Sequence, residues 1–206
     1  MSAIVIFDYD GVIVDSFDVF SEYFLKACKK EGIDAIGSKE EFLRLYEGNM
    51  YENLFKKGLS KEKILKIVYF MRDGLIENQD KINLFEGMEK TIKDLAEENK
   101  LYIVTSSEKK VVKKFLGKHK IETYFEDILG SDEEPSKIKK ILKIKSLNDN
   151  DNLFYIGDTK GDIIEGKKAG VKTVGVSWGW HKKNKILDAD PDFFVEKPEK
   201  ILDLVN

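Results

Sequence analysis

Residues 3–7, Ala-Ile-Val-Ile-Phe, form an unbroken apolar run rich in β-branched side chains. Such a run predicts a strand buried on both faces, the kind found in parallel sheets. It stops at Asp8-Tyr9-Asp10-Gly11, and no comparably clear strand follows between residues 16 and 84. Phe17, Phe20, Phe24, Ala27 and Cys28 recur at helical spacing and predict an amphipathic helix over residues 16–30. Ser38, with Glu41 three residues on, has the form of a capping box opening a second helix. A third helix is expected over residues 50–57. Ser60 caps a long fourth helix running toward residue 78, with Ile64, Ile67, Val68 and Met71 on one face.

The pattern then changes to an alternation. Helices are expected near residues 88–98, 108–116, 136–145 and 161–169, and strands near 101–104, 127–129, 153–156 and 173–176. A short strand at 193–195 and a terminal helix finish the chain. Buried strands alternating with helices predict an α/β fold, a doubly wound parallel sheet with right-handed crossovers. Residues 1–15 and 85–206 are the expected α/β core, and residues 16–84 an all-helical insertion after the first strand.

In an open α/β sheet, ligands bind outside the carboxyl ends of the strands. Asp8 and Asp10 follow the first strand, and at i,i+2 in extended backbone both carboxylates project to one side. Gly11 lets the chain turn away sharply. Thr105-Ser106-Ser107 follows the 101–104 strand, and Gly157-Asp158-Thr159-Lys160-Gly161-Asp162 follows the 153–156 strand. Pro135-Ser136-Lys137 opens the 136–145 helix. Any one of these acids alone reads as a helix cap or a solvated turn. Four together at one sheet edge carry a formal charge of −4 and repel one another. A divalent cation and one lysine would bring the charge to about −1. Oxygen-only ligands suit Mg²⁺ rather than zinc.

The order of these parts resembles the haloacid dehalogenase superfamily of phosphotransferases. Residues 7–16, Phe-Asp-Tyr-Asp-Gly-Val-Ile-Val-Asp-Ser, are similar to its first motif, and Thr105, Lys137 and residues 157–162 to its second, third and fourth. Residues 176–180 and 190–193 resemble the tail of its phosphoglycolate-phosphatase-like branch. The resemblance implies a Rossmann-like core with a helical cap and Mg²⁺-dependent phosphoryl transfer. Asp8 would be the nucleophile that becomes an aspartyl phosphate, and an ordinary aspartate is ionised at neutral pH without an activating base. Asp10 would act as general acid and then general base. Thr105 and Ser106 would bind the phosphoryl group, and Lys137 would offset its charge. Asp8, Asp158 and the Asp10 backbone carbonyl would hold the metal, with Asp162 acting through water or orienting Lys137. The family lysine is usually followed by proline, whereas Ile138 follows here, so Lys139 and Lys140 are alternatives to Lys137.

Retention of Asp10 implies phosphate esters rather than halides or phosphonates. The related phosphomutases carry a His and an Arg in the cap, and the matching positions here are Phe20 and Tyr51, which weakens that alternative. A non-enzymatic phosphoacceptor regulator also clusters acids and a lysine at strand ends. Such a protein lacks a large helical insertion and takes its phosphoryl group after a later strand. Arg44, Asn49 and Tyr51 in the insertion are the candidates for reading the leaving group, against a plain packing role.

Composition narrows the partners. Lys+Arg 35 against Asp+Glu 38 gives a net charge of −3, which favours neither a nucleic acid polymer nor an anionic membrane. Only Arg44 and Arg72 of the 35 basic residues are arginine. The apolar run near the start is too short to span a bilayer. One cysteine, Cys28, excludes an intrachain disulfide and makes a reducing cytoplasm the default expectation. On the apolar face of its helix it reads as an inert buried thiol. His119 reads as solvated, and His181 as a surface or packing residue. A monomer is the default oligomeric state. The expected partner is a small phosphate ester.

Overall fold

The computed structural model describes residues 2–148 and 152–205. Its first strand, β1 (Ile4–Phe7), is buried along its whole length. Val5 and Phe7 enter one hydrophobic cluster, Ile4 and Ile6 the other. Each face of the strand therefore meets a core, which is why its sequence does not alternate.

After β1 the chain makes a two-residue strand, β2 (Val14–Asp15), then helices α1 (Phe17–Lys30), α2 (Lys39–Arg44), α3 (Met50–Lys56) and α4 (Lys61–Glu77). It returns through β3 (Asn83–Leu84) and continues with α5 (Met88–Ala96), β4 (Lys100–Val104), α6 (Lys109–Lys118) and β5 (Phe125–Leu129). The second half comprises α7 (Lys137–Ser146), β6 (Leu153–Gly157), α8 (Lys160–Ala169), β7 (Lys172–Val176), α9 (Lys183–Leu187), β8 (Phe193–Val195) and α10 (Leu202–Val205).

Six strands form one parallel sheet in the order β5-β4-β1-β6-β7-β8. From β1 the sheet grows first toward β4 and β5, then on the other side toward β6, β7 and β8. The winding reverses at β1, so the crevice beyond its carboxyl end is the expected ligand site of such a sheet.

The inserted helices form where local chemistry predicts. Ser38 and Glu41 make a reciprocal capping box on α2, and Ser60 accepts the Lys63 amide at the start of α4. Such caps are worth about 1 kcal/mol each. Ile64, Ile67, Met71 and Leu75 form the buried stripe of α4. The sequence pattern did not reveal β2 and β3. They pair antiparallel, Val14 with Leu84 and Asp15 with Asn83, so the two chain crossings between the sheet and the inserted helices form one ribbon. Two residues per strand are too few for a periodic signal.

Candidate active site

The three central strands each end in one chemical group: β4 in Thr105, β1 in Asp8, β6 in Asp158. All three side chains are buried. Gly11 has φ +83, and a Cβ there would stand 2.0 Å from Asp158 Oδ2. Glycine is therefore required on both conformational and steric grounds. Its absent side chain lets the β1 turn approach the end of β6.

Among the three neighbouring lysines, the structure brings Lys137 to the acids. Its Nζ lies 2.8 Å from Asp8 Oδ2 and 2.7 Å from Asp162 Oδ1. Burial opposes its charge, but Asp162 and Asp8 together hold its pKa well above the ordinary lysine value. Lys139 is exposed and pairs with Glu134. Lys140 is buried and donates to the Thr105 carbonyl at 2.6 Å, tying the end of β4 to α7. Burial, reinforced by the Lys137 charge, lowers it to about 8.

Asp8 and Asp10 sit in different environments. Asp8 Oδ1 accepts the Tyr9 amide at 2.8 Å, and Oδ2 faces Lys137. Burial raises Asp8 to about 7, with Asp162 and Asp10 adding repulsion and Lys137 opposing it. Desolvation works against the ionised form expected of an ordinary aspartate, and the positive charge of Lys137 beside it favours that form. Asp10 accepts the Ser16 hydroxyl on Oδ1 and the Ser107 hydroxyl on Oδ2, each at 2.7 Å. Burial raises its pKa, the two hydroxyls moderating the shift. Ser16 sits at the start of α1 but makes no side-chain cap, because its hydroxyl serves Asp10 instead.

Asp162 is saturated by donors. Lys137 Nζ and the Tyr155 hydroxyl reach Oδ1, and the Thr159 amide and hydroxyl reach Oδ2. Burial opposes ionisation there, but Lys137 and these hydrogen bonds hold its pKa below the ordinary value. Asp158 is the opposite case. Its Oδ2 accepts the Trp180 amide at 2.6 Å, while Oδ1 is buried with no hydrogen-bond partner among the described residues. Burial, with repulsion from Asp162 and Asp8, raises its pKa well above normal. One oxygen from each of Asp8, Asp158 and Asp162 can lie within 4.8 Å of the others. An orphaned buried carboxylate oxygen among oxygen-only donors fits a hard divalent cation.

The inserted helices close over these groups. Phe20 and Tyr46 join Asp8, Asp10, Thr105, Ser106, Lys137, Thr159 and Trp180 around a cavity of about 10 Å³. That is about the room needed by one water. Trp180 comes from the loop after β7, and its ring centroid lies 5.0 Å from Tyr46, 5.1 Å from Phe20 and 5.6 Å from Phe42. Sequence reasoning placed Trp180 in a family tail and passed over Tyr46, since no periodic or charge signal marks either one.

Of the residues expected to read the leaving group, Arg44 is exposed and does not line this cavity. Asn49 caps α3 through Oδ1 and donates from Nδ2 to the buried Glu165 on α8 at 3.0 Å. Tyr51 lines a separate cleft of about 330 Å³ with Asn49, Pro135, Ser136 and Glu165. His181 is buried rather than at the surface. Its Nδ1 accepts the Lys160 amide, leaving Nε2 to donate to the Leu43 carbonyl at 3.0 Å. Burial lowers its pKa and favours this neutral form, which joins the core to α2. His119 is half-buried against Phe115. Cys28 is buried and its thiol is pushed up to about 12 by burial, which makes it inert.

The sequence profile described as haloacid dehalogenase-like hydrolase matches residues 5–176. A phosphoglycolate phosphatase of Vibrio vulnificus is 27% identical, over 98% of this chain and 95% of its own. Pyrophosphatase PpaX of Halalkalibacterium halodurans is 26% identical, over 98% and 96%. A haloacid dehalogenase-like family protein of Streptococcus pneumoniae superposes with TM-score 0.77 at 26% identity, covering 100% and 99% of the two chains. A predicted phosphatase of Clostridium acetobutylicum superposes with TM-score 0.84 at 21% identity, over 98% and 99%, and shares the fold. No helix among the described residues is long and apolar enough to cross a membrane.

Proposed function

The chain belongs to the haloacid dehalogenase-like hydrolase family, and we propose that this phosphatase is a Mg²⁺-dependent phosphomonoesterase that works through an aspartyl phosphate on Asp8. The observation that carries the reading is the pairing of Asp8 with Lys137 at 2.8 Å, with Asp10 two residues away held between two hydroxyls. A carboxylate approaching a phosphate dianion needs its own charge balanced, and Lys137 sits where it can do this.

The Asp8 carboxylate attacks phosphorus, and the bond from phosphorus to the leaving oxygen breaks. Asp10, whose hold on a proton is strengthened by burial, gives its proton to that oxygen. In the second half, Asp10 takes a proton from the attacking water. The water oxygen bonds to phosphorus, the acyl-phosphate bond breaks, and Asp8 returns with inorganic phosphate as product. Ser16 and Ser107 orient the Asp10 carboxyl through both steps. The Thr105 hydroxyl and Ser106 bind phosphoryl oxygens, with Lys140 holding the Thr105 carbonyl from below. Asp162, already donor-saturated, orients Lys137 rather than contacting substrate.

Asp8, Asp158 and the Asp10 backbone carbonyl would hold Mg²⁺, and Asp158 Oδ1 is the oxygen left free for it. When bound, the cation supplies positive charge that lowers repulsion between Asp8 and the phosphate. Residues 16–84 act as a cap that opens to admit substrate and closes to exclude water, bending at the β2–β3 ribbon. The cavity of about 10 Å³ is too small for an ester, which supports a cap that moves away to admit one. A small phosphate metabolite is the substrate class, a reading supported by the names of the relatives, and a reducing cytoplasm is the expected compartment.

The test is phosphate release from p-nitrophenyl phosphate with Mg²⁺. Asp8→Asn should fold normally and keep less than a few per cent of the activity, because an amide cannot accept the phosphoryl group. Substantial turnover by that variant would remove Asp8 as nucleophile.

A further inference from the structure

The lining of the small cavity divides by chemistry. Asp8, Asp10, Thr105, Ser106 and Lys137 are groups that handle phosphate, whereas Phe20, Tyr46 and Trp180 are aromatic. Two of these aromatics carry hydrogen-bond donors with little to do. The Tyr46 hydroxyl donates to the Met50 sulfur at 3.1 Å, and a thioether is a weak acceptor. Trp180 Nε1 is buried with no hydrogen-bond partner among the described residues. Its ring is held by contacts with Phe17, Phe20, Phe42 and Tyr46, and the Cδ1 edge beside Nε1 lies against Gly11, the residue after Asp10. Buried donors are ordinarily satisfied, so one unpartnered donor and one weakly partnered donor on residues that line this cavity are groups a ligand can complete.

The same lining indicates what the leaving group is not. A carboxylate or second phosphate buried here needs its own cation. Lys137, the cation of this cavity, already faces both Asp8 and Asp162. The adjoining cleft shares Phe20 and Ser106 and includes Arg72, whose guanidinium is paired with Asp73 at 2.7 Å and Glu108 at 3.3 Å. Broad aromatic faces with neutral donors suit an uncharged ring that bears hydroxyls.

We infer that the preferred ester carries a neutral, hydroxylated ring as its leaving group, a sugar or nucleoside unit, read by the Tyr46 hydroxyl and the Trp180 indole. The inference rests on the phosphatase reading above. It departs from the anionic substrates in the names of the relatives.

The experiment compares kcat/KM with Mg²⁺ for ribose 5-phosphate, adenosine 5′-monophosphate, phosphoglycolate, pyrophosphate, methyl phosphate and p-nitrophenyl phosphate. At least one of the two ring esters should exceed both phosphoglycolate and pyrophosphate by tenfold or more, and the better of the two separates sugar from nucleoside. Tyr46→Phe, which removes a single hydroxyl, should lower kcat/KM for that ester about tenfold, mostly through KM, and methyl phosphate much less. Trp180→Phe should act in the same direction. A preference for phosphoglycolate or pyrophosphate would overturn the inference and leave the phosphatase reading intact. So would a Tyr46→Phe variant that slows every ester equally or none. Absence of phosphate release from every ester, p-nitrophenyl phosphate included, would remove the phosphatase reading itself and the inference with it.

Discussion

A Cβ on Gly161 would stand 2.7 Å from the carbonyl oxygen of Gly48. Gly161 lies in the first turn of α8, near Asp158 and Asp162 in sequence, and Gly48 belongs to the inserted segment that carries Tyr46 and Asn49. The inserted segment therefore meets α8 by backbone contact at a position where no side chain fits. Gly161→Ala should hold the cap short of full closure, since overpacking of this kind costs about 1–3 kcal/mol. A loss of kcat/KM of roughly tenfold or more is expected. Solution scattering with the phosphate mimic BeF₃⁻ should show the variant more open than wild type. Equal closure and unchanged turnover would mean that the seat at Gly161 does not control the cap.

The acid role proposed for Asp10 requires that Asp10→Asn harm esters with poor leaving groups most. Hydrolysis of an alkyl phosphate should fall by roughly 10²–10⁴-fold, with a smaller first-step loss for p-nitrophenyl phosphate. The second step also needs the base, so acid-quenched protein should contain phosphoenzyme when the aryl ester is used. Equal losses on both esters, with no trapped phosphoenzyme, would count against the assignment.

The unsatisfied Asp158 Oδ1 among oxygen donors makes the metal dependence testable. Chelation with EDTA should abolish phosphate release and Mg²⁺ should restore it. Ca²⁺ should inhibit, because it takes more and longer bonds. Full activity in metal-free protein would refute the site.

A pH effect follows from Asp8, raised to about 7 by burial. An unfolded aspartate titrates near 3.9, so the folded state binds this proton more tightly. The contribution is fully present below about pH 4 and is lost as pH rises through 7. Metal-free protein should therefore lose Tm between pH 5 and pH 8, and Asp8→Asn should lose less over the same range. Mg²⁺ should restore wild-type Tm at pH 8 by stabilising the ionised carboxylate. Identical pH slopes in both proteins would show that Asp8 is not the source.

The amino-acid sequence alone determined the frame of this protein. An apolar run buried on both faces marked β1, alternating elements marked the parallel sheet, and caps such as Ser38–Glu41 marked the inserted helices. These signals are local, set by side-chain periodicity and by hydrogen bonds three residues apart. The strand-end acids were legible for the same reason, since Asp8 and Asp10 need only two residues of extended backbone to share a side. What lies between distant segments was decided by tertiary structure. Lys137 rather than Lys140 meets Asp8 because the first turn of α7 faces the end of β1, and Lys140, three residues later, faces the end of β4. Ser16 and Ser107 are 91 residues apart in sequence yet flank one carboxylate. Asn49 and His181, ambiguous as sequence, tie the inserted helices to the segments around the sheet because their partners, Glu165 and Leu43, lie more than 100 positions away. Burial raised Asp8, left Asp158 Oδ1 unpartnered and brought Trp180 into the ring cluster of the cap, and burial is a property of the packed whole that no window of sequence contains.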